Sequence, residues 1–506
     1  MKNFTTKLIA SAMLASCPAL ASAWGTLDSP ETVYSLDNEV ACLKTARTSD
    51  GKTYVSWLQW SEQQGWGYDL HLQLLDEDGK PMWDEESLAV ETQRNASWTA
   101  DYSLVAAPNG DAILSWADAR SEEDAEYAQG HEPVLYRVNQ KQEYVWSDDG
   151  ITFGPEYMFP PTLYMIGEDL YAILISSSDY GPSKITRINA DGTLAFTPKE
   201  FAGHLAPSEG TDFISVDSGS KGTVAMRYNR DVEPVWDEPA VVSEYLYSGY
   251  SRDPYRICPD GQGGVAVTFA RALDFSHLPV VNHISADGEA TFGPSVDVIP
   301  EDNMVGDYDY PVIGVNSDTE TILTIWNQSG AGKGVIGAQQ FDYFGERLFG
   351  DDGIAFAEKK DASGYSFGPI ALYPMNDEQW FVCYADEQWW AHSVLHFACY
   401  DNNGSNAWDY EAPEATSITD PSFSYDDGVF TFTCINEETD DDWNTVYKIQ
   451  TIQFSPATVG VDMTTVSNVD GNKEYFSING TRLDRPAKGI NIVRCEDGST
   501  RKVLVK

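Results

Sequence analysis

Apolar residues recur along this chain in short alternating or continuous runs rather than at helical spacing. Eight of these runs share one character: TYVSWLQW (53–60), AILSWADA (112–119), LYAILISS (170–177), TVAMRY (223–228), GVAVTFA (264–270), TILTIW (321–326), WFVCYA (380–385) and VFTFTC (429–434). A second kind of segment follows most of them, in which a strand-like run leads into a turn and an aromatic comes at a fixed offset. It reads LQLLDEDGKPMW (72–83), ITRINADGTLAF (185–196), VNHISADGEATF (281–292), AQQFDYFGERLF (338–349) and FACYDNNGSNAW (397–408). In all five the turn glycine lies four residues before the aromatic, as in Gly79 to Trp83 and Gly288 to Phe292. Asp or Asn opens such a turn, Gly accepts a positive φ, and the aromatic packs back between neighbouring strands. Two degenerate copies fit the frame: LYRVNQKQEYVW (135–146), with Gln142 in the glycine slot, and a shortened one ending at Trp236. Gly and Asn/Asp turns punctuate the chain, and no amphipathic helix of ten or more residues is legible. The pattern predicts an all-β fold.

The aromatic slots fall at 83, 146, 196, 236, 292, 349 and 408, and one further step of 59 upstream from Trp83 lands on Trp24. The last copy, from about Asp420 to Ser455, has strands but no turn-plus-aromatic outer strand of its own. The segment WGTLDSPETVYS (24–35) can supply it. A ring of four-stranded blades must join its first and last blades to avoid an open edge. The expectation is therefore a β-propeller over residues 24–456, with eight blades, or seven if the shortened copy is an insertion. Separate sandwich domains are the other reading, but each unit is smaller than the ~100 residues a sandwich takes.

Asp plus Glu number 79 against 32 Lys plus Arg, a formal charge of −47 spread along the 506 residues. That field repels nucleic acid and anionic membrane surfaces, and its simplest role is to keep an exported protein soluble. Residues 1–23 have the form of a signal peptide: Lys2 and Lys7, the apolar LIASAMLAS (8–16), and Ala21-Ser22-Ala23 before the cut. Leu14-Ala15-Ser16-Cys17 offers a competing lipidation site. No other apolar run nears the ~20 residues that span a bilayer, so an integral helical membrane protein is not expected. Six cysteines lie beyond the leader, and Cys42, Cys258, Cys383 and Cys434 sit in apolar stretches as small buried hydrophobes do. Cys383 and Cys399 fall on two arms of one hairpin, where a disulfide is conceivable.

TYVSW, WADAR (116–120) and LQLLDEDGKPMW together resemble a degenerate propeller repeat of exported proteins from Bacteroidota-type bacteria. The resemblance implies fold and export, and carries no catalytic residues. After a linker at 457–474, the segment YFSINGTRLDRPAKGINIVRCEDGSTRKVLVK (475–506) reverses the charge: seven Arg and Lys against three acids from 482 to 506. Its Tyr-Phe-x-Ile-Asn-Gly opening, Lys488-Gly489-Ile490 and Lys-Val-Leu-Val-Lys ending resemble the C-terminal sorting domain of type IX secretion cargo. That resemblance implies secretion machinery as a partner and an outer-membrane-surface or extracellular address. A β tail packed on the propeller is the alternative.

With the strands of each blade lettered A to D from the axis outward, the B-to-C loops share one face with the D-to-next-A loops, the usual site face. They hold Trp60, Trp66, Tyr127, Trp389, Trp390 and Trp443, with His131, Tyr180, Phe275, His277 and His392 nearby. Indole stacks on a sugar ring while Asp, Asn and Gln take its hydroxyls, so a glycan or a protein is the expected ligand. Rim packing between blades is the alternative role for these aromatics. Acidic loops at Glu122–Glu126 and Glu437–Asp442 offer Ca²⁺ carboxylates without EF-hand spacing, so no cofactor is expected. SDDGITF (147–153) and YRICP (255–259) each miss a sialidase motif by one residue. No Gly-x-Ser-x-Gly, His-Glu-x-x-His, phosphate-loop or Cys-x-x-Cys motif occurs. The leading expectation is a non-catalytic binding propeller. A glycan hydrolase or lyase using facing carboxylates, and a structural surface-layer component, are the alternatives.

Overall fold

The structure is a computed structural model that describes residues 24, 30–61, 67–83, 87–91, 102–118, 132–154, 157, 159–176, 182–247, 255–273, 276–304, 307–330, 333–360, 365–388, 392–411, 418–426, 428–439, 444–455, 474–477, 482–483, 489–494 and 500–505. Seven of the eight apolar runs become the B strand of a four-stranded antiparallel sheet, whereas TVAMRY (223–228) leads directly into its turn and becomes the C strand of its blade; the eight sheets stand in a ring as an eight-bladed β-propeller. Blade 1 comprises Val40–Arg47, Thr53–Ser61, Gly67–Leu75 and Leu88–Glu91. Blade 2 follows with Leu104–Ala106, Ala112–Asp118, Glu132–Val138 and Ile151–Thr152, and blade 3 with Thr162–Ile166, Asp169–Leu174, Lys184–Ile188 and Lys199–Glu200. The shortened copy ending at Trp236 is no insertion. It forms blade 4 with all four strands, His204–Pro207, Phe213–Gly219, Gly222–Tyr228 and Ala240–Ser243, which excludes the seven-bladed alternative.

Blade 5 is Arg256–Pro259, Val265–Leu273, Ser276–Ile284 and Val296–Asp297, and blade 6 is Asp307–Asn316, Thr321–Gly330, Lys333–Asp342 and Ile354–Lys360. Blade 7 is Tyr365–Asn376, Gln379–Gln388, His392–Asp401 and Asn406–Glu411. Blade 8 takes Ile418–Asp426, Val429–Thr439 and Thr445–Phe454 from the end of the ring and its outer strand, Glu31–Leu36, from the beginning. Trp24 adds a two-way backbone bridge to Gln453, at 3.1 Å in both directions. The ring therefore closes by a strand from the other end of the chain, as the slot spacing requires.

The turn-plus-aromatic motif connects blades. Its aromatic seats on the corresponding turn of the following blade rather than between strands of its own. Trp24 of blade 8 is buried over Gly79 of blade 1, where any Cβ would overlap the indole. In the same way a Cβ at Gly288 of blade 5 would come within 2.9 Å of Trp236 of blade 4. Both glycines also hold positive φ, at 79° and 84°, so glycine is required twice over at these points. Where the slot holds Gln142 or Val232 the backbone is forced to φ 67° and 60° all the same. The indole N–H completes the joint: Trp83, Trp146 and Trp236 donate to the carbonyls of Gln140, Ala190 and Ala286 in the next blade at 3.0, 3.1 and 3.0 Å.

An ion pair reinforces this joint in part of the ring. Arg137, Arg187 and Arg227 occupy the position nine residues before the slot aromatic and bind Asp111, Asp169 and Asp212 at 2.8, 3.1 and 2.9 Å. Arg137 and Arg227 also donate to the Ala190 and Ala286 carbonyls that the indoles use. In blade 5 the position is His283, which meets Asp260 at 2.9 Å and stacks on Tyr343 of blade 6 at 4.3 Å. Blades 1, 6 and 7 have Leu74, Gln340 and Cys399 there.

Residues 24–457 form one compact unit. Beyond it, Glu474–Ser477, Arg482–Leu483, Gly489–Arg494 and Thr500–Val505 make a separate four-stranded sheet, with the first strand between the second and third. Cys383 and Cys399 are both buried free thiols, opposite Phe397 and Phe381 respectively, so no disulfide joins them. Cys495 and the segments 1–23 and 457–473 lie outside the described residues. Among the described residues no helix is long and apolar enough to cross a membrane.

Candidate functional site

Strand alternation gives blade 7 two different faces. Along its C strand, HSVLHFACYD (392–401), Leu395, Phe397 and Cys399 turn one way and Val394, His396, Ala398 and Tyr400 the other. The first face is dry. Phe397 meets Phe430, Phe432 and Phe454 of blade 8 with ring centroids 5.8, 5.7 and 5.5 Å apart. The second face meets blade 6, and its inner part closes as Trp380 and Val382 pack with Ile325, Ile336 and Ala338. Toward the B-to-C end the two blades part around a cleft of about 520 Å³. Phe356, Ala357 and Glu358 on the D strand of blade 6 form one wall. Tyr384, Asp386, Val394 and His396 form the other, with Tyr400, Asn406 and Asp409 beside them.

Asp409 organises the polar wall. The His396 ring lies against the Tyr384 ring at 4.5 Å, 3° from parallel, and its Nδ1 is 3.2 Å from Asp409 Oδ1. The Tyr384 hydroxyl donates to Asp409 Oδ2 at 3.4 Å. One carboxylate thus fixes both rings, and a neutral imidazole that donates from Nδ1 presents Nε2 as an acceptor. Further along, Phe356 and Tyr400 stack at 3.9 Å and 6°, and the Tyr400 hydroxyl donates to the Phe356 carbonyl at 2.7 Å. Burial, with Tyr400 and Asp409 close by, holds the Tyr384 hydroxyl far above the ordinary phenol range. Burial likewise pushes Tyr400 up to about 12, although the hydrogen bond from the Asn406 amide favours its ionised form. Both phenols are therefore neutral across the physiological range. The wall combines aromatic surfaces, their donors already committed, with carboxylates.

Of the residues singled out by sequence, Trp60 is described. It is half-buried at the B-to-C end of blade 1, edge-on to Tyr68 at 5.4 Å, and it packs on the core shared with blade 2. Tyr68 in turn donates to Glu39 at 2.8 Å. Trp60 is thus a rim residue remote in the ring from the cleft. Trp66, Tyr127, Trp389, Trp390 and Trp443 lie outside the described residues, as do His131, Tyr180, Phe275 and the acidic runs 122–126 and 440–442. Glu438 is described and paired with Lys448. Among the described residues no group of three or more His, Cys, Asp or Glu side chains is placed to hold a metal ion.

Tyr384, His396 and Asp409 were missed because each sits in a strand that reads as ordinary core. The signal lay in the cross-strand pair of blade 7, where Tyr384 faces His396 at the positions that Trp326 and Gly337 hold in blade 6.

Fold and cleft together define an eight-bladed β-propeller with an aromatic and carboxylate-lined cleft between two of its blades. No family model matches the chain, and no curated protein matches it. Solved structures to which the chain is similar include an ulvan lyase described as a new family of polysaccharide lyase, at 10% identity and a TM-score of 0.40, covering 79% of this chain and 94% of that one. The polysaccharide lyase Uly1 superposes at 10% identity and 0.39, over 83% and 99% of the two chains. A protein of unknown function from Dyadobacter fermentans does so at 9% and 0.33, over 83% and 96%.

Proposed function

We propose that the chain is a non-catalytic binding propeller that takes a carbohydrate in the cleft between blades 6 and 7. The observation that carries this reading is the composition of the walls. The edges of the stacked Phe356–Tyr400 and Tyr384–His396 rings give the cleft an apolar surface against which the apolar side of a sugar can lie, and carboxylates of Glu358, Asp386 and Asp409 line it as hydrogen-bond acceptors for hydroxyls. A volume of about 520 Å³ suits a few sugar units. The cleft lies toward the B-to-C end of the two blades.

The test is a glycan array probed with the full chain, followed by mass spectrometry of every glycan bound. Binding that leaves the glycan intact and disappears in Val394→Trp, which fills the cleft, is the expected result. Binding unchanged in Val394→Trp refutes the assignment of the site. A second reading, a glycan hydrolase or lyase, is favoured by the His396–Asp409 pair, because an imidazole held by a carboxylate can act as a general base. Shortened glycan in the same experiment, lost in His396→Gln, would establish it.

Export belongs to this proposal. The leader form of residues 1–23 and the type IX-like segment 475–506 support delivery to the cell surface or medium, where polysaccharide is accessible. Amino-terminal sequencing of the secreted protein tests it: a start at Trp24 is expected, and retention of residues 1–23 or lipid on Cys17 contradicts it.

A further inference from the structure

We infer that the ring opens and recloses at one seam, the ladder between Glu31–Leu36 and Thr445–Phe454 in blade 8, with Glu31–Leu36 leaving as a strap attached to blade 1. Among the described strands of the ring, every other ladder pairs strands consecutive in the chain, so a single turn or loop keeps the partners close when that ladder breaks. The seam pairs residues as far apart as Thr32 and Gln450, 418 positions along the chain. Only the ring itself holds them together. The strap runs through residues 37–39 into Val40–Arg47, the inner strand of blade 1. Its side chains lean the same way. The Tyr34 ring lies 5.3 Å from that of Trp57, and the Tyr34 hydroxyl accepts a hydrogen bond from Gln73 Nε2 at 2.6 Å, both partners being in blade 1. Trp24, bridged to Gln453 of blade 8 through backbone, rests its indole on Gly79 of blade 1.

The ties from the rest of blade 8 are weaker than those at the other joints. The indole N–H of Trp24 is buried without an acceptor, whereas Trp83, Trp146 and Trp236 donate theirs to the next blade. A buried donor left unpaired reduces what is gained by closing the joint. Gln453 Nε2 donates to Thr53 Oγ1 of blade 1 at 3.4 Å with no charge to assist it, whereas Arg137 and Arg227 reach the following blade with guanidinium groups. Of the buried apolar cluster at this boundary, only Ile435 and Ile449 belong to the three strands of blade 8 that stay behind. On the other side of blade 8, by contrast, Phe430, Phe432 and Phe454 interlock with Phe381 and Phe397 of blade 7. The seam ladder also breaks register between Thr32 and Tyr34, and Glu31, Thr32 and Ser35 are exposed. Few buried contacts and a solvent-exposed ladder are what mark a segment that opens before the whole.

Hydrogen exchange on the full chain tests this, with the outer strand of blade 6, Ile354–Lys360, as the matched control, because its partner strand directly precedes it in the chain. In urea well below the unfolding midpoint, the ladder-bonded amides of Glu31–Leu36 should be protected about tenfold or more less than those of Ile354–Lys360. In Thr32→Cys/Gln450→Cys, whose parent side chains meet at 3.5 Å, oxidation should bring the strap to the protection of the control and raise the urea midpoint. The same oxidation in Lys184→Cys/Glu200→Cys, at Cα partners of blade 3 whose strands a turn already joins, should change neither. Melting of the reduced forms shows that both variants fold. Equal protection of the two outer strands in the unmodified chain, strap exchange untouched by the oxidised seam pair, or equal gains from the two disulfides overturns the inference.

Discussion

In blades 2–5 the inner strand is three to five residues long, whereas in blades 6–8 and blade 1 it runs to between eight and twelve. The longer strands share a second feature, an extra residue that shifts the register. Tyr310-Pro311 in blade 6, Ile370 after Pro369 in blade 7, Asp420-Pro421 in blade 8 and Cys42-Leu43 in blade 1 all fall at this step. A bulge bends its strand and accommodates a proline that cannot donate to the ladder. The short-stranded side has the other device. Its Asp–Arg or Asp–His pairs tie each blade to the following turn, and the corresponding positions of blades 1, 6 and 7 lack the cation. The difference teaches that one repeat serves two ends. Where strands are short, polar joints on the turn face hold neighbouring blades together; where they are long, aromatic and aliphatic packing does so, and the extra length raises walls on the opposite face. The cleft stands between two such walls.

The sharpest way to break the comparison is to remove one polar joint. Arg137→Ala leaves the largely buried Asp111 without its cation, and a broken pair of this kind costs about 3 kcal/mol. Urea unfolding should show that loss, and a similar truncation at Gln340 of blade 6 should cost less. Equal losses would mean that the ion pairs do not distinguish the two sides.

Acid separates the sides by pH. Burial against Trp57 in blade 1, with Asp69 opposing, lowers His71 to about 4, below the ordinary ~6.5 of an unfolded chain. Its contribution is complete above about pH 6.5 and declines as pH falls toward 4, because the unfolded chain takes up the proton first, with a slope of up to ~1.4 kcal/mol per pH unit. His71→Gln should flatten stability across that interval. Asp169 and Asp260 resist protonation despite their burial, through Arg230 and Arg187 for the first and His283 and two backbone N–H groups for the second. Their contribution is complete above about pH 4 and disappears as pH falls further. Denaturant midpoints measured from pH 7 to 2 should therefore fall in two stages, the first absent in His71→Gln.

The smallest effect expected is a gain. Gln142 occupies a glycine slot at φ 67°, so Gln142→Gly should stabilise the chain by roughly 0.5–1 kcal/mol through relief of that strain. A loss in thermal melting would show that Gln142 contributes contacts that outweigh the strain.

Much of the ring was legible because the motif that repeats along the chain is the one that joins blade to blade. Gly79, Gly288 and the slot aromatics are constrained by each other, so their spacing survives, and it placed Trp24 at the closure before any strand was seen. Their partners were not legible: that Trp236 seats on Gly288 of the next blade is a fact about the ring, not about the local sequence. The cleft was hidden for a related reason. Its groups come from the outer strand of blade 6 and three strands of blade 7, and His396 differs from its core neighbours only in facing a gap between blades. Aromatic loop content pointed to the B-to-C end of the blades, but the described member of that set, Trp60, packs on the core shared by blades 1 and 2.

Hydrogen exchange read by mass spectrometry, with and without a glycan that the array shows to bind, tests the division of labour most directly. Slowed exchange confined to Ile354–Lys360, Gln379–Gln388 and His392–Asp401 is the expected result, with blades 2–4 unchanged. Protection centred on the turn face of blades 2–5, with none in the strands that wall the cleft, would contradict it.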